Sequence, residues 1–248
     1  MKPFIQQYCQ ITETSAPHVR AEWAAMEIME QETLSSIMGQ LKQEYRATGM
    51  ELPASLLGTI LLGPLIAMII ESSEEEQTAD LSLANLSIQL ALYNGSNPYL
   101  LLKRNGKKQL GSSEFINLLP EFIQNNLNEP IEKISEAACV KPTLIWNQFG
   151  ARLLSTMEAY KKSGTAEHIQ NAVKYTELIM SYPGKLFGIR KNPFIHEPAY
   201  IDSPYEPGTS MMVRSACCMF YKKENGQKCA NCPLIQKRKS ALFKTFQK

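Results

Sequence analysis

The sequence predicts an α+β fold: a predominantly helical main domain with a small antiparallel sheet in its middle, then a small C-terminal segment built around cysteines. Three observations carry this. Apolar residues recur at three- and four-residue steps over residues 16–48 and 113–182, the spacing of one helical face. Between them Leu86, Ile88, Leu90 and Leu92 alternate with Ser87, Gln89 and Ala91, the period of a half-buried strand. Four of the six cysteines fall within residues 217–232. A chain of 248 residues suits one large domain plus an appendage, and a hydrophobic fraction of 44% gives it material for a core.

In chain order, Val19, Trp23, Met26, Leu34, Ile37, Leu41 and Tyr45 predict one long helix or two in succession, stopped at Gly49. The apolar stretch Leu56 to Ile70 is broken by Gly58, Gly63 and Pro64. It falls short of the ~20 residues a spanning helix needs, so it reads as core and no stable membrane insertion is expected. Glu74-Glu75-Glu76 reads as an exposed loop. After the alternating strand, Asn94-Gly95-Ser96-Asn97 is a turn and Tyr99 to Leu102 a partner strand. Asn105-Gly106 is a second turn, because both residue types tolerate positive φ. Lys103, Arg104, Lys107 and Lys108 around it make either a solvated tip or a basic lip for an anion, and the solvated tip is the simpler reading.

Further on, Phe115, Ile116, Leu119, Phe122 and Ile123 form one helical stripe. Pro130 suits the start of a short helix, where its missing N–H costs nothing. Ile145, Phe149, Leu153, Met157 and Tyr160 form a second stripe. Ile169, Val173, Thr176 and Met180 form a third, with Thr165 as N-cap and an end near Pro183-Gly184. Pro193, Pro198, Pro204 and Pro207 crowd the next stretch into an irregular arm. A boundary near 208 divides a main domain, 1–208, from a C-terminal segment, 209–248.

Cys217, Cys218, Cys229 and Cys232 read C-C, ten residues, C-x-x-C. A C-x-x-C loop aims two sulfurs at one metal in zinc and iron–sulfur sites. Adjacent residues on an extended strand point to opposite faces. Cys217 and Cys218 therefore serve one centre only if the backbone bends there, or if the centre exceeds a single ion. The spacing favours an iron–sulfur cluster. A zinc knuckle is the main alternative, and an adjacent pair suits it poorly. Lys222-Lys223-Glu224-Asn225-Gly226 is a turn that returns the second pair to the first.

The run Val213-Arg214-Ser215-Ala216-Cys217-Cys218-Met219-Phe220-Tyr221, with Cys229-Ala230-Asn231-Cys232-Pro233-Leu234 after it, resembles the C-terminal signature of the FhuF-like ferric siderophore reductases. The resemblance implies a [2Fe–2S] cluster on Cys217, Cys218, Cys229 and Cys232, and an oxidoreductase that adds one electron to iron held by an imported siderophore. Residues 1–208 would then present the ferric siderophore, and 209–248 would hold the cluster. Ferric siderophores are often anionic, so Arg152, Arg190 and Lys191 are the candidate substrate contacts. Lys222, Lys223 and Lys228 are candidates for tuning the cluster or docking an acidic donor.

Other classes fit less well. A net charge of +2 does not announce a polyanion partner. The basic stretch Lys237-Arg238-Lys239 with Lys244 and Lys248 could touch phosphates, but no aromatic platform for single strands accompanies it, so no nucleic-acid partner is expected. A non-enzymatic iron–sulfur sensor would need the same ligands and stays open. No G-x-G-x-x-G follows a strand, so electrons are expected from an external donor protein. His18, His168 and His196 show no metal-ligand spacing. Met1 to Gln10 carries no secretory signal. A cytoplasmic chain is expected, with its thiols reduced.

Overall fold

The computed structural model describes residues 2–235. Helix α1 (Pro3–Cys9) leads into strands β1 (Ile11–Thr12) and β2 (Val19–Ala24). A 3-10 turn precedes helix α2 (Gln31–Glu44), and α3 (Glu51–Ile60) and α4 (Leu62–Glu74) follow almost without a break. Strands β3 (Gln77–Ala79), β4 (Leu86–Tyr93), β5 (Asn97–Arg104) and β6 (Gln109–Gly111) fill the middle. Six helices come next: α5 (Ser112–Asn117), α6 (Leu119–Ile123), α7 (Glu129–Ala137), α8 (Thr143–Trp146), α9 (Phe149–Tyr160) and α10 (Ala166–Ser181). Strands β7 (Tyr200–Asp202) and β8 (Ser210–Met212) lead to the cysteines. The fold is α+β. The basic stretch from Lys237 onward lies outside the described residues.

The main sheet has the order β1-β5-β4-β2. β4 and β5 pair antiparallel from Leu86↔Arg104 to Tyr93↔Asn97. Asn94 and Gly95 take the turn at φ 49° and 72°, as the right-handed strand twist demands of a tight hairpin. β1 pairs parallel to β5, so the sheet is mixed, and two of its strands come from the N-terminal stretch rather than the middle.

That stretch corrects the helix expected from residue 16. Val19, Ala21 and Trp23 are half-buried and alternate with exposed Arg20, Glu22 and Ala24, a period of two that pairs β2 with β4. Over six residues, a step of four from Val19 to Trp23 satisfies either period, and pairing with β4 decides it. Met26, counted in the helical stripe, is 47% exposed, and His18 lies before β2, outside any helix. The helix proper is α2, which buries Leu34, Ile37, Met38 and Leu41.

β4 is buried on both faces rather than one. The loop before β2 covers its polar side. There Gln89 donates to Glu22 Oε2 at 2.7 Å and Ser15 Oγ at 3.2 Å, and accepts from the Ala16 N–H at 3.0 Å. Each polar atom of this fully buried amide is thus satisfied.

Gly58, Gly63 and Pro64 do not interrupt the apolar stretch. Pro64 falls in the first turn of α4, where a missing N–H is tolerated. Glu51–Glu74 is long and apolar enough to cross a membrane, and 89% of its most apolar window is buried inside the fold. Glu74 ends α4 instead of lying in a loop, and it accepts from the Tyr160 hydroxyl at 2.6 Å and pairs with Lys2. At the hairpin, Lys103 pairs with Glu22, Arg104 with Glu13, and Lys108 with Asp80 at 2.7 Å. Those cations have carboxylate partners already, which favours the solvated tip over an anion lip.

The arm after α10 is fastened by rings. Phe187 and Phe194 pack on Trp146 and Phe149 with centroids 5.0–5.9 Å apart. Asn192 donates to the carbonyls of Ile179 and Tyr182 at 2.8 and 2.9 Å. Gly150 makes room: a Cβ there would meet the Pro193 carbonyl oxygen at 3.0 Å and His196 Cβ at 2.7 Å.

Helix α10, packed on α4, starts at Thr165, whose hydroxyl oxygen accepts from the His168 N–H at 3.3 Å. We expect Thr165→Ala to cost about 1 kcal/mol in urea unfolding and Thr165→Ser to restore most of it. Equal midpoints for the alanine variant and the parent would rule out a capping role.

Candidate metal centre

The cysteine segment turns where adjacent cysteines require it. Met219 adopts φ 59°, and the Lys222 N–H closes on the Met219 carbonyl at 2.7 Å. This bend aims the N–H of Met219 at the Cys217 sulfur and that of Phe220 at the Cys218 sulfur. The chain then reverses through Asn225, at φ 55°, and Gly226, where a Cβ would lie 2.6 Å from the Tyr221 carbonyl oxygen. The C-x-x-C turn is closed by the Cys232 N–H on the Cys229 carbonyl at 3.0 Å.

The four sulfurs come together as two pairs. Cys218 and Cys229 lie 3.5 Å apart, and Cys217 and Cys232 lie 4.0 Å apart. Two thiolates on one tetrahedral ion with bonds of about 2.3 Å lie ~3.8 Å apart. Each pair therefore has the span of two ligands on one ion, and each takes one cysteine from C-C and one from C-x-x-C. Among the described residues, no three or more of His, Cys, Asp and Glu gather on a single ion position. Two pairs suit a two-metal centre better than a lone zinc. The donor set is soft thiolate, which suits iron–sulfur chemistry.

Burial separates the pairs. Cys217 and Cys232 are buried, at 8% and 2% exposure, while Cys218 and Cys229 are half-buried. Burial pushes the Cys217 thiol up to about 11. Cys218 is pulled down to about 5, first by the hydrogen bond shared with Cys229, then by the Phe220 N–H and the Arg214 guanidinium. Cys9 lies apart from these, and burial pushes its thiol up to about 12, so it is an inert core thiol.

The segment is clamped to the main body at several points. Ser55 Oγ on α3 donates to the Cys218 carbonyl at 2.9 Å and accepts from Gln148 Nε2 at 3.0 Å. Ser215 Oγ accepts from the Ala151 N–H on α9 at 3.2 Å. The Thr48 N–H donates to the Lys222 carbonyl, and the Glu224 N–H to that of Arg46, both at 3.0 Å. Lys222 pairs with Glu51 at 3.1 Å. Lys223 and Lys228 sit over the rings of Phe220 and Tyr221 at 4.2 and 5.5 Å, which fixes their stems beside the cysteines.

A cleft of about 780 Å³ opens where α3, α9 and the cysteine segment meet. Cys218 and Cys229 line it, with Arg152 and Arg214. Arg152 donates to the Thr59 carbonyl and to Gln10 Oε1, both at 2.8 Å. Burial lowers its pKa and Arg214 adds to the depression, yet a guanidinium stays charged at neutral pH. Arg214 donates through Nε to Asn231 Oδ1 at 3.3 Å. Among the described residues, no Asp, Glu or Lys lines the cleft.

The structure thus brings Arg152 to the sulfurs. Arg190 and Lys191 are exposed and do not line this cleft, because the buried Phe187, Asn192 and Phe194 turn the arm's other side chains outward. Arg214, read from the sequence only as a flank of the cysteines, is the residue that reasoning missed. Its position three residues before Cys217 was the available signal. Ser55 and Gln148 carried none.

A family model described as the FhuF 2Fe-2S C-terminal domain matches residues 214–234. That bears out the resemblance read from the cysteine spacing, and it gives the cofactor as a [2Fe–2S] cluster. No curated protein matches the chain.

Ser55 is 1% exposed, so Ser55→Ala leaves the Cys218 carbonyl and the Gln148 amide short of a partner. We expect a loss of about 1–3 kcal/mol and faster protease nicking within residues 209–235. Unchanged nicking would mean the clamp lies elsewhere.

Proposed function

We propose that the chain is a siderophore-iron reductase whose [2Fe–2S] cluster is held by Cys217, Cys218, Cys229 and Cys232. The observation that supports this most is a cleft walled by two of those cysteines and by two arginines that have no carboxylate partner in it among the described residues. When bound, such a cluster supplies one electron at low potential, which turns the ferric ion of the chelate ferrous while an external ferredoxin-like donor protein restores the cluster. A ferrous ion is softer and less charged, so hard oxygen ligands release it more readily.

The chain's own residues have separable tasks in this reading. Cys218 and Cys229 are the cleft-facing pair, and Cys217 and Cys232 the inner pair. The N–H groups of Met219 and Phe220 stabilise negative charge on the sulfurs to which they donate. Arg152 and Arg214 bind the ferric siderophore, and Ser55 and Gln148 keep the Cys218 carbonyl fixed against α3. Residues 1–208 are the presenting body and 209–248 the cluster segment. Lys223 and Lys228, half-buried over the rings of Phe220 and Tyr221, meet an acidic donor in this reading. The six free thiols fit a reducing compartment, the cytoplasm.

Purified anaerobically, the protein should be red-brown, carry about two irons per chain for a [2Fe–2S] centre, and bleach with dithionite. The reduced protein should release ferrous iron from a ferric siderophore to a ferrous-specific chelator. Cys217→Ser, Cys218→Ser and Cys232→Ser should each abolish native cluster content and iron release, whereas Cys9→Ser and Cys139→Ser should keep both. A colourless protein with stoichiometric zinc would sink the proposal, and a coloured protein without iron release would reduce it to a sensor.

A further inference from the structure

We infer that the cleft selects ferric chelates bearing free, ionised carboxylates over neutral or cationic tris-hydroxamate chelates; this rests on the reductase reading and specifies its substrate class. The argument starts from charge. Among the described residues, two guanidiniums share the cleft wall with no acidic side chain and no second kind of cation. They are close enough that Arg214 disfavours the charge on Arg152. By contrast, Lys103, Lys108 and Lys222 each have a carboxylate partner. The acceptors offered to the two arginines are neutral, namely a backbone carbonyl, Gln10 and Asn231. The Cys218 thiolate meets part of this positive charge, and an anionic chelate would meet the remainder.

Geometry narrows the anion to a carboxylate. Among the described residues, Arg214 donates through Nε to Asn231, and both Nη groups can make a fork onto a planar carboxylate. Arg152 is tied through one hydrogen on each Nη, so its remaining N–H donors are held in a fixed direction. Gln7, Gln148 and Asn231 add amides to the same wall. Three hydroxamates cancel the charge of a ferric ion and leave no free carboxylate. A tris-catecholate is anionic, but its charge resides on iron-bound oxygens. A citrate-type α-hydroxycarboxylate chelate is anionic and keeps carboxylate oxygens free for a guanidinium.

Gallium(III) chelates test this without any electron transfer, because gallium is not reduced. The oxidised holoprotein is titrated by calorimetry with gallium(III) citrate, a neutral gallium(III) tris-hydroxamate, a gallium(III) tris-catecholate, and citrate alone. Gallium(III) citrate should bind at least ~10-fold more tightly than the tris-hydroxamate. Arg214→Gln should weaken citrate-chelate binding by ~10- to 100-fold, the scale of a charge-assisted hydrogen bond, and leave the hydroxamate unchanged. Arg152→Gln should act in the same direction; because Arg152 also ties α9 to α3, Arg214→Gln is the deciding variant. Equal binding of the neutral chelate, or an Arg214→Gln variant that keeps the preference, overturns the inference. Tighter binding of the catecholate overturns the carboxylate requirement, and citrate alone binding as well as its gallium chelate overturns recognition of a chelate. Iron release without a charge preference would sink this inference alone. A charge preference without iron release would sink the reductase reading.

Discussion

A serine hydroxyl buried in α3 donates to the carbonyl of Cys218 at 2.9 Å. The rest of the site follows from that contact and its neighbours. The segment after β8 has few apolar side chains and cannot build a core of its own. It borrows rigidity from α3 through Ser55, from α9 through the Ala151 N–H on Ser215, and from the turn after α2 through the carbonyls of Arg46 and Lys222. Only then can two sulfur pairs keep their spacing while part of their surface faces a cleft. The helices are therefore more than a support, since the same residues that clamp the cysteines form the opposite wall.

Burial divides labour within the centre. Cys217 and Cys232 face the interior, and Cys218 and Cys229 face the cleft beside Arg214. Low local dielectric strengthens the Met219 N–H donor on the inner Cys217 sulfur. The outer sulfurs meet solvent and a guanidinium. A centre built this way has a protected side and a working side, which is what passing electrons between a small chelate and a protein donor calls for.

Much of this was legible in the sequence where the determinant is local. The C-C and C-x-x-C spacings specify the sulfur pairs because both turns are short, and the demand that Cys217-Cys218 bend is met by Met219 one residue later. The hairpin at Asn94-Gly95 and the cap at Thr165 were readable for the same reason. Reading failed where distant segments decide. Val19–Ala24 is a strand because β4 pairs with it, and β4 is buried twice because a loop more than seventy residues earlier covers Gln89. The meeting of Ser55 with Cys218 spans 163 positions, and no pattern around either residue announces it. Arg152 and Arg190 look alike in sequence; bonds to Thr59 and Gln10 hold the first in the cleft, and the second is exposed on an arm anchored by Phe187 and Phe194.

The ring packing of Trp146 and Phe149 with Phe187 and Phe194 has one more consequence. It joins the start of α9, which carries Arg152, to the arm that leads into the cysteine segment. In the proposed reading, the arginine that binds the chelate and the sulfurs that face it thus belong to one stiff frame. Electron tunnelling decays exponentially with the gap between donor and acceptor, so a frame that holds this gap constant holds the transfer rate constant. Thermal breathing of the outer loops is kept out of that distance by four rings packed mostly edge to face.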